Sequence, residues 1–142
     1  MRHSPILFLT ALFAFTVLLS TAHAEKKPLT PSKEWSGSVA DESLGEGTPD
    51  FIASAEDLAG LWKKWGIADE LPTVDFSKEL VVLTTTRGSR LRLIATLDDA
   101  TGNLEVGGLA TRDLRPGFRY VIATVSRDGV KTVNGKELPK SE

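Results

Sequence analysis

Cysteine is absent from all 142 residues, and histidine occurs only as His3 and His23. The first absence excludes a disulfide framework, a thiolate nucleophile, a zinc ribbon and an iron–sulfur cluster. The second matters because both histidines fall in a segment expected to be removed. Met1-Arg2-His3 is a short basic start, Ile6 to Leu19 is a 14-residue apolar stretch, and Ala22 and Ala24 stand at −3 and −1 of a cut after Ala24. That three-part layout reads as a secretory signal peptide over 1–24. Fourteen residues are fewer than the roughly 20 that a spanning helix needs, so contact with the membrane is expected only through an uncleaved signal. Lipid attachment at the cut is excluded, since it requires a Cys there.

Cleavage leaves 118 residues carrying 16 Lys+Arg against 19 Asp+Glu, net −3, and no His. The mature chain then lacks a side chain that titrates near neutrality unperturbed, and also the commonest transition-metal ligand. Ser–His–Asp and Cys–His catalysis are excluded. The sequence pI of about 5.7 and the expected export also argue against a nucleic-acid partner.

Residues 25–34, EKKPLTPSK and Glu34, carry prolines and lysines with a single leucine, and predict a flexible tether. Residues 35–142 are read as one domain. Trp35 to Val39 predicts a short strand, and the acidic, Gly-containing stretch Asp41 to Pro49 a loop. The clearest element is a helix over 55–65. Ser54 can cap it, Glu56 and Asp57 lie at the positive end of its dipole, and Leu58, Leu61, Trp62 and Trp65 form one apolar stripe. Lys63 and Lys64 occupy its last turn and Gly66 stops it.

Strands follow. Leu80 to Leu83 is an unbroken apolar run, the mark of a strand covered on both faces. Arg87-Gly88-Ser89 is a turn. Leu91, Leu93, Ala95 and Leu97 alternate with polar residues, and Asp98 to Asn103 is a hairpin turn rather than a calcium loop, because Ala110 stands where the distal Glu would be. Leu104 to Thr111 is a strand whose Gly107-Gly108 pair predicts a bulge, and Phe118 to Ser126 a long apolar strand. Asp128-Gly129 predicts a hairpin returning through Val130 to Val133, with another tight turn at Asn134-Gly135. The expected fold class is α+β: an antiparallel β-sheet of five or six strands, twisted or partly closed, packed with one amphipathic helix.

Charge is unevenly divided. Residues 25–86 hold 12 acids and 6 lysines, whereas 87–142 hold 7 acids and 10 bases, including all seven mature arginines. Arginine's planar fork matches carboxylate, phosphate and sulfate. Arg90, Arg92, Arg112, Arg115 and Arg119 are therefore candidate ligand-binding residues; the competing reading pairs the arginines with acids of the first half or sets them to guard sheet edges. Trp35, beside Gly37 and near the tether, is a candidate partner-binding aromatic, while Trp62 and Trp65 read as core.

Val74-Asp75-Phe76-Ser77-Lys78-Glu79-Leu80-Val81-Val82, preceded by Ser54-Ala55-Glu56-Asp57-Leu58, resembles the C-terminal domain of the protease complex subunit PrcB family. Gly117 to Tyr120 and Lys131 to Lys136 look like signatures of a planctomycete-type exported subgroup. The resemblance covers about residues 50–110 and implies a periplasmic or extracellular accessory protein that stabilises or assembles with a protease or other envelope protein. It brings no catalytic residue, metal or cofactor. The motif also has a physical reading of its own: Asp75 caps the turn at Ser77 to Glu79 while Phe76 enters the core. The expected function is thus an exported, non-enzymatic accessory or binding module. The alternative is binding of an anionic polysaccharide or cell-wall polymer through the arginine-rich half, with a carboxylate-based hydrolase behind both.

Overall fold

The computed structural model describes residues 25–140. The expected signal peptide lies outside them. In chain order the elements are β1 (Lys26–Pro28), β2 (Lys33–Val39), a 3-10 turn (Glu42–Gly45), β3 (Phe51–Ile52), α1 (Ala55–Trp65), β4 (Glu79–Thr86), β5 (Leu91–Asp98), β6 (Asn103–Ala110), β7 (Phe118–Ser126), β8 (Thr132–Val133) and β9 (Lys136–Glu137). The class is α+β, as expected. The strands, however, divide into two sheets, of order β1-β5-β6-β8-β9 and β2-β7-β4-β3.

Helix α1 forms where its local signals coincide. The Ser54 hydroxyl accepts from the Asp57 amide at 3.2 Å, and Gly66 takes the left-handed conformation (φ 62°, ψ 39°) that ends the helix at little steric cost. Its stripe of Leu58, Leu61, Trp62 and Trp65 is buried against Val39, Ile52, Val81, Leu83, Phe118, Tyr120 and Ile122 on one face of the four-stranded sheet. The opposite face of that sheet presents Leu80, Val82, Val121, Ala123 and Val125 to Leu93, Ala95, Leu97 and Leu104 of the other sheet. The order of layers is therefore sheet, sheet, helix. β4 and β7 lie in the middle layer and are apolar on both faces, which explains their unbroken hydrophobic runs.

Three expectations are corrected. Residues 25–34 do not form a free tether: Lys26–Pro28 pairs antiparallel with Asp98–Thr96, and Lys33 and Glu34 already belong to β2. A Pro/Lys-rich stretch reads as disordered when it must bury something, but an edge strand needs only main-chain partners, and Pro is tolerated there. The link between the sheets is held by Thr124, buried in the middle layer, whose hydroxyl lies 2.7 Å from that of Ser32 and accepts from the Lys33 amide at 3.1 Å.

Second, β6 has no bulge. It pairs one-to-one with β5 from Asn103↔Asp98 to Ala110↔Leu91. Gly108 serves the approach of the two sheets instead, since a Cβ there would lie 2.8 Å from Leu91 Cδ1 and 2.9 Å from Thr84 Oγ1. Third, the segment after Asp128-Gly129 does not return along β7. Both edges of β7 are taken by β2 and β4, so β8 crosses to the other sheet and pairs parallel with β6 through Asn103↔Thr132 and Leu104↔Val133. Burial of Val130 and Val133 between the sheets drives that crossing.

Candidate functional site

Strand alternation and register place the site. On β2 and β7, Trp35, Gly37 and Val39 share the helix side with Phe118, Tyr120 and Ile122; Ser36 and Ser38 lie on the other face, opposite Val121 and Arg119. At this end of the molecule the start of β5 stands over that second face. A groove of about 540 Å³, with polar and apolar walls, results, lined by Ser36, Gly37, Ser38, Ser89, Arg90, Leu91, Arg119, Tyr120 and Val121.

Arg119 is the half-buried cation of the groove. Its Nε donates to the Ser89 carbonyl at 2.7 Å, and among the described residues no carboxylate lies within 4.0 Å of its guanidinium. The loop that supplies Ser89 is tied down from the far side. The Ser89 amide donates to Asp113 Oδ1 at 2.9 Å, the Ser89 hydroxyl lies 3.1 Å from that of Thr111, and the Arg90 amide donates to the Thr111 hydroxyl at 3.0 Å. Arg115 Nε donates to Asp113 Oδ2 at 3.2 Å. Tyr120 presses on the groove from the helix side: a Cβ at residue 37 would lie 2.6 Å from its hydroxyl oxygen, so only Gly lets the phenol reach this edge.

The titration of these groups follows from their contacts. The Thr111 hydroxyl, the Ser89 amide and hydroxyl, and then Arg115 hold the Asp113 carboxyl far below the usual carboxylate range. Asp41 and Asp75 are lowered by the hydroxyl and amide of Ser43 and Ser77 respectively. Burial, and then the charge of Asp69, raises the Tyr120 phenol. For the three carboxyls the stabilisation is fully present above the unfolded value of about 3.9 and is lost as pH falls toward their lower folded values. For Tyr120 the sign is opposite, and stability falls as pH rises past about 10. Thermal melts should therefore give a plateau between about pH 5 and 9, bounded by an acid limb that weakens in Asp113→Asn and an alkaline limb that weakens in Tyr120→Phe. An unchanged acid limb in Asp113→Asn would remove the role assigned to that loop contact.

Of the five candidate arginines, the fold brings two together, Arg90 and Arg119. Arg92 lies further along β5, opposite Leu109 and away from the groove. Arg112 is exposed in the loop after β6, and Arg115 is committed to Asp113. Pairing between the two halves holds for Arg87, 2.8 Å from Glu42. Arg127 donates to the carbonyls of Phe76 and Pro139, at 2.9 and 3.1 Å. Trp35 is half-buried and stands edge-on to Trp62, ring centroids 5.8 Å apart, so one side of its indole is taken up by packing rather than displayed.

Sequence reasoning did not single out Ser36, Ser38 and Ser89; Tyr120 was considered there only with Trp35, Trp62 and Trp65, as an aromatic for stacking on sugars. The one signal was the Ser-Gly-Ser alternation inside the strand read over Trp35 to Val39, which marks a polar face on it. Asp75 does cap its turn: Oδ1 accepts from the Ser77 amide at 3.1 Å, and Phe76 packs against the helix-side core. No protein-family model matches the chain, and no curated protein and no solved structure is similar to it.

Proposed function

We propose that this chain is an exported, non-enzymatic binding module, and that the groove takes the carboxylate or sulfate groups of an anionic polysaccharide or cell-wall polymer. Arg119 carries this reading. It is a guanidinium partly withdrawn from water, with one N–H committed to a carbonyl and, among the described residues, no carboxylate beside it. A half-desolvated charge without a counter-ion is costly, and an incoming anion relieves that cost. Arg90 adds a second cation, and the hydroxyls of Ser36, Ser38 and Ser89 are neutral partners suited to sugar hydroxyls. The open, groove-like shape suits a stretch of polymer.

The test uses immobilised polygalacturonate, with neutral dextran as control. The chain from residue 25 should be retained on the acidic matrix at low ionic strength and released as salt passes about 0.1 M, where the screening length falls to about 10 Å. A protein of net charge −3 has no bulk attraction for a polyanion, so retention reports a local site. Passage through both matrices, or equal retention on dextran, would sink the reading.

A second reading, an accessory module assembling with another exported or envelope protein such as a protease, is favoured by a different surface. No element of the described residues covers the outer face of the five-stranded sheet, and Ile94 and Leu109 on it are 39% and 60% exposed.

A further inference from the structure

Main-chain directions along β6 can be read from its neighbours. The Leu104 carbonyl accepts from the Asn134 amide at 2.8 Å, and the Val106 amide and carbonyl are both engaged by the Asn134 side chain, at 2.8 and 3.1 Å. Even-numbered residues of β6 thus turn their polar groups away from β5, and the Thr111 amide, odd-numbered, donates back to the Arg90 carbonyl at 3.2 Å. The β8 pairing stops at Leu104 and the Asn134 side chain covers Val106. Beyond it, among the described residues, the N–H and C=O of Gly108 and Ala110 face no strand, and Gly107 to Ala110 are all exposed.

Two cations outside the groove flank this open edge. Arg92 lies opposite Leu109 on β5, and Arg112 follows Thr111 just after β6. Among the described residues neither forms an ion pair, while the nearby acids Glu105 and Asp113 are engaged by Lys26 and Arg115. Beside Leu109, the outer face carries a shallow depression over Gly107 and Gly108, flanked by Ile94, Thr96 and Glu105, with a volume of about 280 Å³.

We infer that the free edge of β6 is a strand-addition site, at which an extended, acidic segment of another polypeptide pairs with Gly108 and Ala110. This names the partner chemistry for the second reading above and rests on it; the groove plays no part. Main-chain pairing supplies affinity in such complexes, and alternate side chains supply selection. Here the selecting elements are an apolar residue for the depression beside Leu109 and carboxylates for the arginines. A second copy of this chain is the poorer occupant. Pairing Gly108 with Ala110 of a copy would bring the same arginines together, and like charges brought together across paired strands are destabilising.

The probe is a synthetic hexapeptide, Thr-Val-Thr-Glu-Thr-Glu, whose valine and glutamates share one face as the depression and Arg92 do, added to the chain from residue 25 and followed by amide NMR and hydrogen exchange. The expected result is new protection at Gly108 and Ala110. It should vanish for the analogue N-methylated at alternate amides, and binding should weaken at least tenfold when lysine replaces the glutamates. Ala110→Pro, which removes an edge donor and no bond to β5, should abolish binding, and Arg92→Glu should weaken it if the proline variant proves unfolded. Equal binding of the N-methylated peptide, protection at Ser36 to Ser38 instead, or displacement by oligogalacturonate would overturn strand addition. So would concentration-dependent protection without peptide, which marks a second copy. The accessory reading fails separately, if crosslinking in the exporting cell recovers no protein neighbour although the peptide pairs as expected.

Discussion

Trp65→Ala should destabilise the domain by about 3–5 kcal/mol, the usual cost of emptying a buried tryptophan position. Trp65 is the point at which helix and sheet lock. It is 5% exposed, meets Phe118 edge-on and Tyr120 at a tilt, both with centroids 5.2 Å away, and donates its indole N–H to the Leu44 carbonyl at 3.0 Å. Truncation therefore leaves a cavity, removes two aromatic pairs and takes the side-chain donor from the Leu44 carbonyl. Out of a total of about 5–15 kcal/mol this is a large fraction, and the melting temperature should fall by about 10–20 °C. Trp35→Ala, at a half-buried position, should cost clearly less. Equal losses for the two, or a shift of only a few degrees for Trp65→Ala, would mean that the helix does not depend on this contact.

Arg119→Ala should weaken binding of oligogalacturonate by about 10- to 100-fold, the range for losing a charge-assisted contact of about 1.5–3 kcal/mol. Arg119 also has a bland role, as a strut from β7 to the Ser89 carbonyl. The two roles separate by measurement. A strut alone predicts a lower melting temperature with affinity and salt response intact; a binding residue predicts lost affinity and a shallower salt dependence in a folded protein. Arg119→Lys keeps the charge but not the planar fork, and should restore only part of the affinity. Arg92→Ala, outside the groove, should leave oligogalacturonate binding unchanged. If Arg119→Ala binds as tightly as the native chain, the groove is not the site.

Legibility followed the range of the interactions. Helix α1 was readable to its caps because Ser54, the 3- and 4-residue spacing of its apolar stripe, and Gly66 all act within a few turns of each other. The hairpin turn at Asp98 to Asn103 and the cap at Asp75 were readable for the same reason, being closed by hydrogen bonds between residues close in sequence. The site was only half readable. Arginine's chemistry pointed to Arg90 and Arg119, but also to Arg92, Arg112 and Arg115. Nothing within one strand says that Arg119 of β7 faces Ser38 of β2, 81 positions away, beneath the start of β5.

By itself, then, the amino-acid sequence determined the composition of the chain, its want of thiol and of imidazole beyond residue 23, helix α1, most of the long strands and their α+β class. These depend on residue type and on spacing over a few positions, which local sterics and alternation convert directly into structure. The tertiary structure alone decided that the strands form two sheets, that Lys26–Pro28 and β8 join the outer one, that the described residues leave part of the β6 edge unpaired, and that two of five candidate arginines meet across a groove. Each of those outcomes turns on which strand edges are already occupied and which apolar faces must be covered. Such competition among distant segments is settled only when the whole chain packs.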